Sequence, residues 1–174
     1  VTGREATPYI VTEGSSYAFN TTAPHRLDVE EFRLGLERGR RLESRGELLQ
    51  ALDVYQKAAQ LYTGDFLEDE PYSDWCSEER EALRETYLSL LKTIASLCRI
   101  RGDRDGCIRQ YRLALAIDPV REEIHRELMR VLWQAGRRDE ALKQYLVCLR
   151  VLAADLGVSP LPETEELHRA ILNS

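Results

Sequence analysis

Three stretches of this chain carry one spacing, and that spacing limits the folds open to it. They are RGELLQALDVYQKA (45–58), RGDRDGCIRQYRLA (101–114) and AGRRDEALKQYLVC (135–148). Each has glycine second, Ala or Cys five residues later, Tyr four after that, and Ala or Cys three after the Tyr. The landmarks are Gly46/Ala51/Tyr55/Ala58, Gly102/Cys107/Tyr111/Ala114 and Gly136/Ala141/Tyr145/Cys148. Glycine permits the sharp turn between two antiparallel helices. Small residues let the helices approach closely, and tyrosine fills the wedge between repeats. Such a unit cannot bury its apolar face alone, so copies must stack, and three are the minimum for a stacked array.

Gly102 and Gly136 are 34 residues apart, the tetratricopeptide period. Gly46 and Gly102 are 56 apart, so 22 residues are inserted between the first two units. The acidic stretch TGDFLEDEPYSDW, with Gly64 and Pro71 as breakers, lies in that interval. The fold expected is all-α: a tetratricopeptide-like antiparallel helix-pair array of about seven helices with a short N-terminal β-hairpin. Helices are predicted from Asp28 to Ser44, with Asp28 as N-cap and Glu31 completing a capping box. Further helices are predicted over 47–62, 74–101 and 104–117. Another restarts at Asp118-Pro119 and ends near Trp133, followed by one over 138–155. PETEELHRAIL (162–172) reads as a closing cap, with Glu163, Glu165 and Glu166 favoured by the helix dipole.

The hairpin is the outlier. In TPYIVTEGSSYAFN, residues Tyr9, Val11, Tyr17 and Phe19 alternate with polar or small neighbours about a Gly-containing loop. Two strands alone are marginal in water. One face of the hairpin is therefore expected to pack on the first helices, near Phe32 and Leu36.

Catalysis has no support in the sequence, and no cofactor is implied. There is no glycine-rich phosphate loop, HExxH, nucleophile elbow or Walker pattern. His25, His125 and His168 have no metal-ligand spacing, and His125 falls where a repeat buries a large residue. Asp65, Glu68, Asp69, Glu70 and Asp74 could suggest a divalent metal, but no EF-hand pattern accompanies them, and a solvated loop is the plainer reading. Cys76, Cys98, Cys107 and Cys148 lie far apart without a CxxC, which favours buried free thiols and a reducing cytoplasm. The two in repeat positions read as small hydrophobes. No stretch approaches the ~20 apolar residues of a membrane span. A net charge of −6 argues against a wholly nucleic-acid-binding surface.

Counting back from each glycine places one set of positions on the inward face of each repeat's first helix. They are Arg33, Leu36, Arg40 and Glu43 in the first unit, and Ser89, Lys92, Ser96 and Arg99 in the second. The third has Glu123, Arg126, Arg130 and Trp133. Arg33, Arg40, Lys92, Arg99, Arg126, Arg130 and Trp133 are thus candidate partner-binding residues for an acidic peptide, a carboxylate terminus or a phosphate. The competing reading is intramolecular: the arginines pair with nearby glutamates or lie under the final helix.

From Leu27 to Leu172 the chain resembles the bacterial transcriptional activator domain of the SARP class of regulators. The resemblance is carried by LDVEEF (27–32), LYTGDFLEDEPYSDW (61–75), REALRETYLSLL (80–91), IDPVREEIHRELMRVLWQAGRRDEAL (117–142) and LGVSPLPETEELHRAIL (156–172). In that family the module follows an OmpR-type winged helix and supports activation through protein contacts, including self-association. The resemblance implies a division at residue 26. Residues 1–26 would hold the wing hairpin and a linker, and 27–174 the tetratricopeptide-like domain. Ser15 and Ser16 would then sit at the wing tip and touch DNA only with the rest of that domain present. Val1–Thr7 are too few for a recognition helix, so a piece of a longer chain is expected. The implied function is a regulatory protein-interaction module coupling the winged helix to protein partners: the transcription machinery, another protomer or a signalling domain. DNA would be a partner only of the full-length protein. The alternatives are a stand-alone peptide-binding scaffold or a small-molecule-sensing helical domain.

Overall fold

The computed structural model describes residues 10–14, 16–20, 27–67 and 74–174. Strands β1 (Ile10–Glu13) and β2 (Ser16–Phe19) pair antiparallel, with Ile10 opposite Phe19 and Glu13 opposite Ser16. Seven α-helices follow among the described residues: α1 (Asp28–Ser44), α2 (Leu48–Ala59), α3 (Ser77–Ile100), α4 (Arg104–Ile117), α5 (Glu122–Gln134), α6 (Arg138–Val151) and α7 (Pro162–Leu172). They pack as antiparallel pairs, α1 with α2, α3 with α4 and α5 with α6. The second helix of one pair also contacts the first of the next (α2 with α3, α4 with α5), and α7 closes the stack on α5 and α6.

The three landmark glycines build the same turn three times. Gly46, Gly102 and Gly136 have φ of +76°, +78° and +74°. Each amide donates three residues back, to the carbonyls of Glu43, Arg99 and Trp133. The residue after each donates five back, to Leu42, Cys98 and Leu132. This is the Schellman arrangement, which closes the orphan carbonyls of a helix end and needs a left-handed residue.

The small residues set the helix separation. Ala51, Ala58, Cys107, Ala114, Ala141 and Cys148 are all buried, as are Tyr55 and Tyr111. In the first pair α1 contributes its own close approach: an added Cβ on Gly39 would meet the Tyr55 ring, and one on Gly35 would meet the Ala58 methyl. Tyr145 is only partly buried, because its outer neighbour is α7, whose His168 stacks on it at 3.7 Å. Between the first two pairs, Phe32, Tyr62 and Tyr87 form one aromatic cluster, the last two stacked at 4.1 Å. All four cysteines are free and buried.

Several boundaries differ from the sequence reading, each for a local reason. Leu27, not Asp28, is the N-cap of α1, and the Asp28 carboxylate takes the neighbouring Val29 amide at 2.8 Å instead of forming a capping box. Helix α2 stops at Ala59, and a 3-10 turn (Asp74–Cys76) precedes α3. Helix α5 starts at Glu122, not at Pro119. The Asp118 side chain accepts from the Val120 amide at 3.3 Å and from Arg121 Nε at 2.6 Å, folding the Asp-Pro step into a turn. After α6 one wide turn of π type (Leu152–Leu156) ends at Gly157, with φ of +68°.

Docking of the hairpin on the first helices turns on Tyr9, which lies outside the described residues, and on the Tyr17 and Phe19 side chains, which do too. The ring neighbours of Phe32 among the described residues are Tyr62 and Tyr87 of the helical array.

Candidate functional site

The first helices, α1, α3 and α5, run side by side with α7 as a fourth, and polar side chains bridge each to the next. Arg33 pairs with Glu79 across α1 and α3. Lys92 pairs with Glu123 at 2.6 Å across α3 and α5, and this hydrogen bond holds the Glu123 carboxyl below its ordinary range. Arg126 Nη1 donates to Thr164 Oγ1 at 3.0 Å across α5 and α7. Trp133 Nε1 donates to Ser174 Oγ at 3.0 Å, just beyond α7. Four of the seven sequence-derived positions are therefore rungs of one intramolecular ladder.

The other three divide. Arg130 pairs within its own helix, with Glu127. Arg40 and Arg99 are exposed and make no ion pair among the described residues. Each lies beside a buried landmark tyrosine. The Tyr55 hydroxyl donates to Glu43 at 3.0 Å, and burial with that bond pushes Tyr55 up to about 12 while the Arg40 charge opposes it. Burial likewise pushes Tyr111 up to about 12, with Arg99 and Arg130 pulling the other way. Leu36, expected on the inward face, is instead buried in the core beside Phe32. Ser15 lies outside the described residues, and so does the side chain of Ser16.

Two arginines that the sequence did not single out, and His125, which it placed at a buried repeat position, hold the array's other joints. Arg121 bridges Asp118 and Glu85, tying the α4–α5 turn to α3. Arg138 caps the C-terminal end of α7 through the carbonyls of Ile171 (2.9 Å) and Leu172 (2.7 Å). His125 is buried, with Nε2 at 2.8 Å from the Pro119 carbonyl and Nδ1 at 2.6 Å from Gln144 Nε2. Its neutral tautomer satisfies both bonds, and burial lowers its pKa. Arginines at such joints have no sequence signature, since their partners are fixed by stacking.

A half-open hollow lies at the foot of α1, about 260 Å³, lined by Val29, Phe32, Tyr62, Phe66 and Leu83 among others. Arg80 braces its wall by donating to the carbonyls of Phe66 (2.8 Å) and Leu67 (3.2 Å), where Leu67 has φ of +52°. Among the described residues no three His, Cys, Asp or Glu side chains converge as a metal site, and no helix is long and apolar enough to cross a membrane. Asp65, one of the loop carboxylates, takes a hydrogen bond from the Tyr62 hydroxyl at 2.7 Å.

The sequence profile described as "Bacterial transcriptional activator domain" matches residues 27–172. The regulatory protein AfsR of Streptomyces coelicolor is 30% identical over 165 residues, covering 95% of this chain and 16% of AfsR. The regulatory protein DnrI of Streptomyces peucetius is 28% identical over 151 residues, covering 87% of this chain and 56% of DnrI. This chain therefore spans less than two thirds of either relative. The structure of Mycobacterium tuberculosis EmbR, solved in complex with a low-affinity phosphopeptide, superposes with a TM-score of 0.70 at 21% identity, over 95% of this chain and 43% of that one. The chain belongs to the bacterial transcriptional activator domain family, the module of SARP-class transcriptional regulators.

Proposed function

We propose that this member of the activator-domain family is a regulatory protein-interaction module, coupling a winged-helix DNA-binding domain to protein partners or to self-association. The family match over residues 27–172 carries the transcriptional part of the reading. In this reading residues 1–26 hold the wing hairpin and linker and 27–174 the interaction domain. The partner is the transcription machinery, another protomer or a signalling domain, and DNA is reached through the winged helix.

The inward face supports a site for an acidic peptide or a carboxylate terminus. Arg40 and Arg99 stand exposed there without ion-pair partners among the described residues. Guanidinium forks suit carboxylates. Arg126 and Arg130 are poorer probes than those two, because both are tied up within the fold.

The test is Arg40→Glu with Arg99→Glu in a full-length regulator carrying this domain. Transcription from its target promoter is expected to fall while promoter DNA affinity stays unchanged. Full activation by the folded double variant would overturn the inward-face site. A second reading, a small-molecule sensor, is favoured by the aromatic hollow of about 260 Å³. A ligand-dependent rise in melting temperature, abolished by Phe66→Ala, would support it.

A further inference from the structure

The stacked array has a rule that α1 breaks. Relative to the turn glycine, four positions of each first helix form its leading face, the face turned toward the preceding pair. In α3 they are Leu90, Ile94, Leu97 and Cys98, and in α5 Ile124, Leu128, Val131 and Leu132. All eight are at most 4% exposed. Helix α2 packs against α3 and helix α4 against α5, so in both inner repeats these positions are closed off by neighbouring helices. Ile94, for example, lines one hollow with Gln56, Ala59 and Gln60 of α2 and with Gln110 and Leu113 of α4.

The same four positions in α1 are Leu34, Arg38, Arg41 and Leu42, with Arg45 one turn further on. Leu34 is 62% exposed and Leu42 half-buried. Leu34, Arg38, Arg41, Leu42 and Arg45 line one shallow hollow. Arg41 pairs with Glu37 at 3.1 Å, whereas Arg38 and Arg45 are exposed and make no ion pair among the described residues. Where the inner repeats carry a continuous apolar face, α1 keeps its two ends apolar and puts arginines between and beside them.

We infer that this leading face of α1 is the docking site for an acidic amphipathic helix from a partner protein. The array itself sets the geometry, because what lies against this face in both inner repeats is a helix. The substitutions set the chemistry. Leu34 and Leu42 call for an apolar stripe at helical spacing, and Arg38, Arg41 and Arg45 call for carboxylates beside it. A DNA backbone would satisfy the arginines but offers nothing to the leucines. The surface is separate from the inward face of Arg40 and Arg99, so the two proposals stand or fall independently.

The probe is a fluorescein-labelled synthetic helix of about 18 residues, with leucines at i, i+4 and i+7 and glutamates flanking them. Anisotropy titration with this chain should give saturable binding that weakens as salt rises. Arg38→Glu with Arg45→Glu is expected to weaken binding at least about tenfold, and Leu34→Ser to weaken it at any salt. The counterpart peptide with lysines for glutamates should not bind. Both variants alter exposed side chains, so their circular dichroism should match the parent. Absence of binding, or binding unaffected by these changes, overturns the proposal. So does displacement of the peptide by duplex DNA, which would mark a phosphate surface. Concentration-dependent dimerisation that Leu34→Ser abolishes would assign the face to a second copy, and overturns it equally.

Discussion

A β-carbon placed on Gly39 would lie 2.2 Å from Cε1 of Tyr55, inside the ring's van der Waals envelope. The first helix pair is therefore closer than alanine permits. Tyr55 cannot swing away, because it is buried and its hydroxyl is held by Glu43. Gly39→Ala should cost about 2–3 kcal/mol in urea unfolding, despite alanine's better helix propensity. A neutral or stabilising result would mean that α1 and α2 are further apart than described.

Gly102→Ala tests a different cost. Nothing lies within 4 Å of a Cβ there, but its φ is +78°. The expected loss is about 1 kcal/mol, from the left-handed backbone alone. Gly102→Asn should recover part of it, since Asn tolerates that region. If Asn and Ala were equally costly, the turn's geometry would not be the cause.

The turns and pairings were legible in the sequence because local chemistry dictates them. A left-handed turn needs Gly46, Gly102 or Gly136, and a tight helix pair needs Ala51 or Cys107. What failed depended on partners far along the chain. Leu36 was placed on the inward face by counting, yet the same register position holds Lys92 and Arg126 in the other repeats, and only packing decides between core and surface. Glu79 as the partner of Arg33 is 46 residues away, across the insert. The Asp118-Pro119 step resembled a helix start, but Arg121 takes the Asp118 carboxylate and delays the helix. The close approach of Gly39 was missed because a glycine inside a helix announces no particular neighbour.

His125 makes stability pH-dependent. Burial lowers its folded pKa below the ordinary 6.5, so the unfolded chain binds the proton more readily. The contribution is fully present above 6.5 and is lost as pH falls from there through the folded value. His168, also lowered by burial, acts with the same sign. Unfolding midpoints should drop between pH 7.5 and 5.5, and less so in His125→Gln. An equal drop in that variant would assign the effect elsewhere.

Thr164 is fully buried, and the Arg126 guanidinium supplies its hydrogen bond at 3.0 Å. Arg126→Ala strips that partner and should cost about 1–2 kcal/mol. Lys92→Ala breaks only an exposed pair, at about 0.5 kcal/mol. Hydrogen exchange should show the Arg126→Ala loss concentrated in α7, with α1–α4 unchanged. Uniform loss across all helices would argue against a local clamp on the closing helix.

The four thiols provide a check on the whole stack. Cys107 and Cys148 occupy positions that alanine fills in other repeats, and burial pushes both up to about 11. The Cys107 thiol also donates to the Ala95 carbonyl at 2.8 Å. Thiolate, not thiol, attacks a disulfide reagent, so neither should react at pH 8 while the array is folded. Cys98 is raised by burial too, and Cys76 is covered beside Arg80. The native protein should release almost no chromophore from an aromatic disulfide, and four equivalents in denaturant. Reaction of Cys107 or Cys148 in the native state, faster than global unfolding, would show that the helix pairs open individually and that the stack is not cooperative.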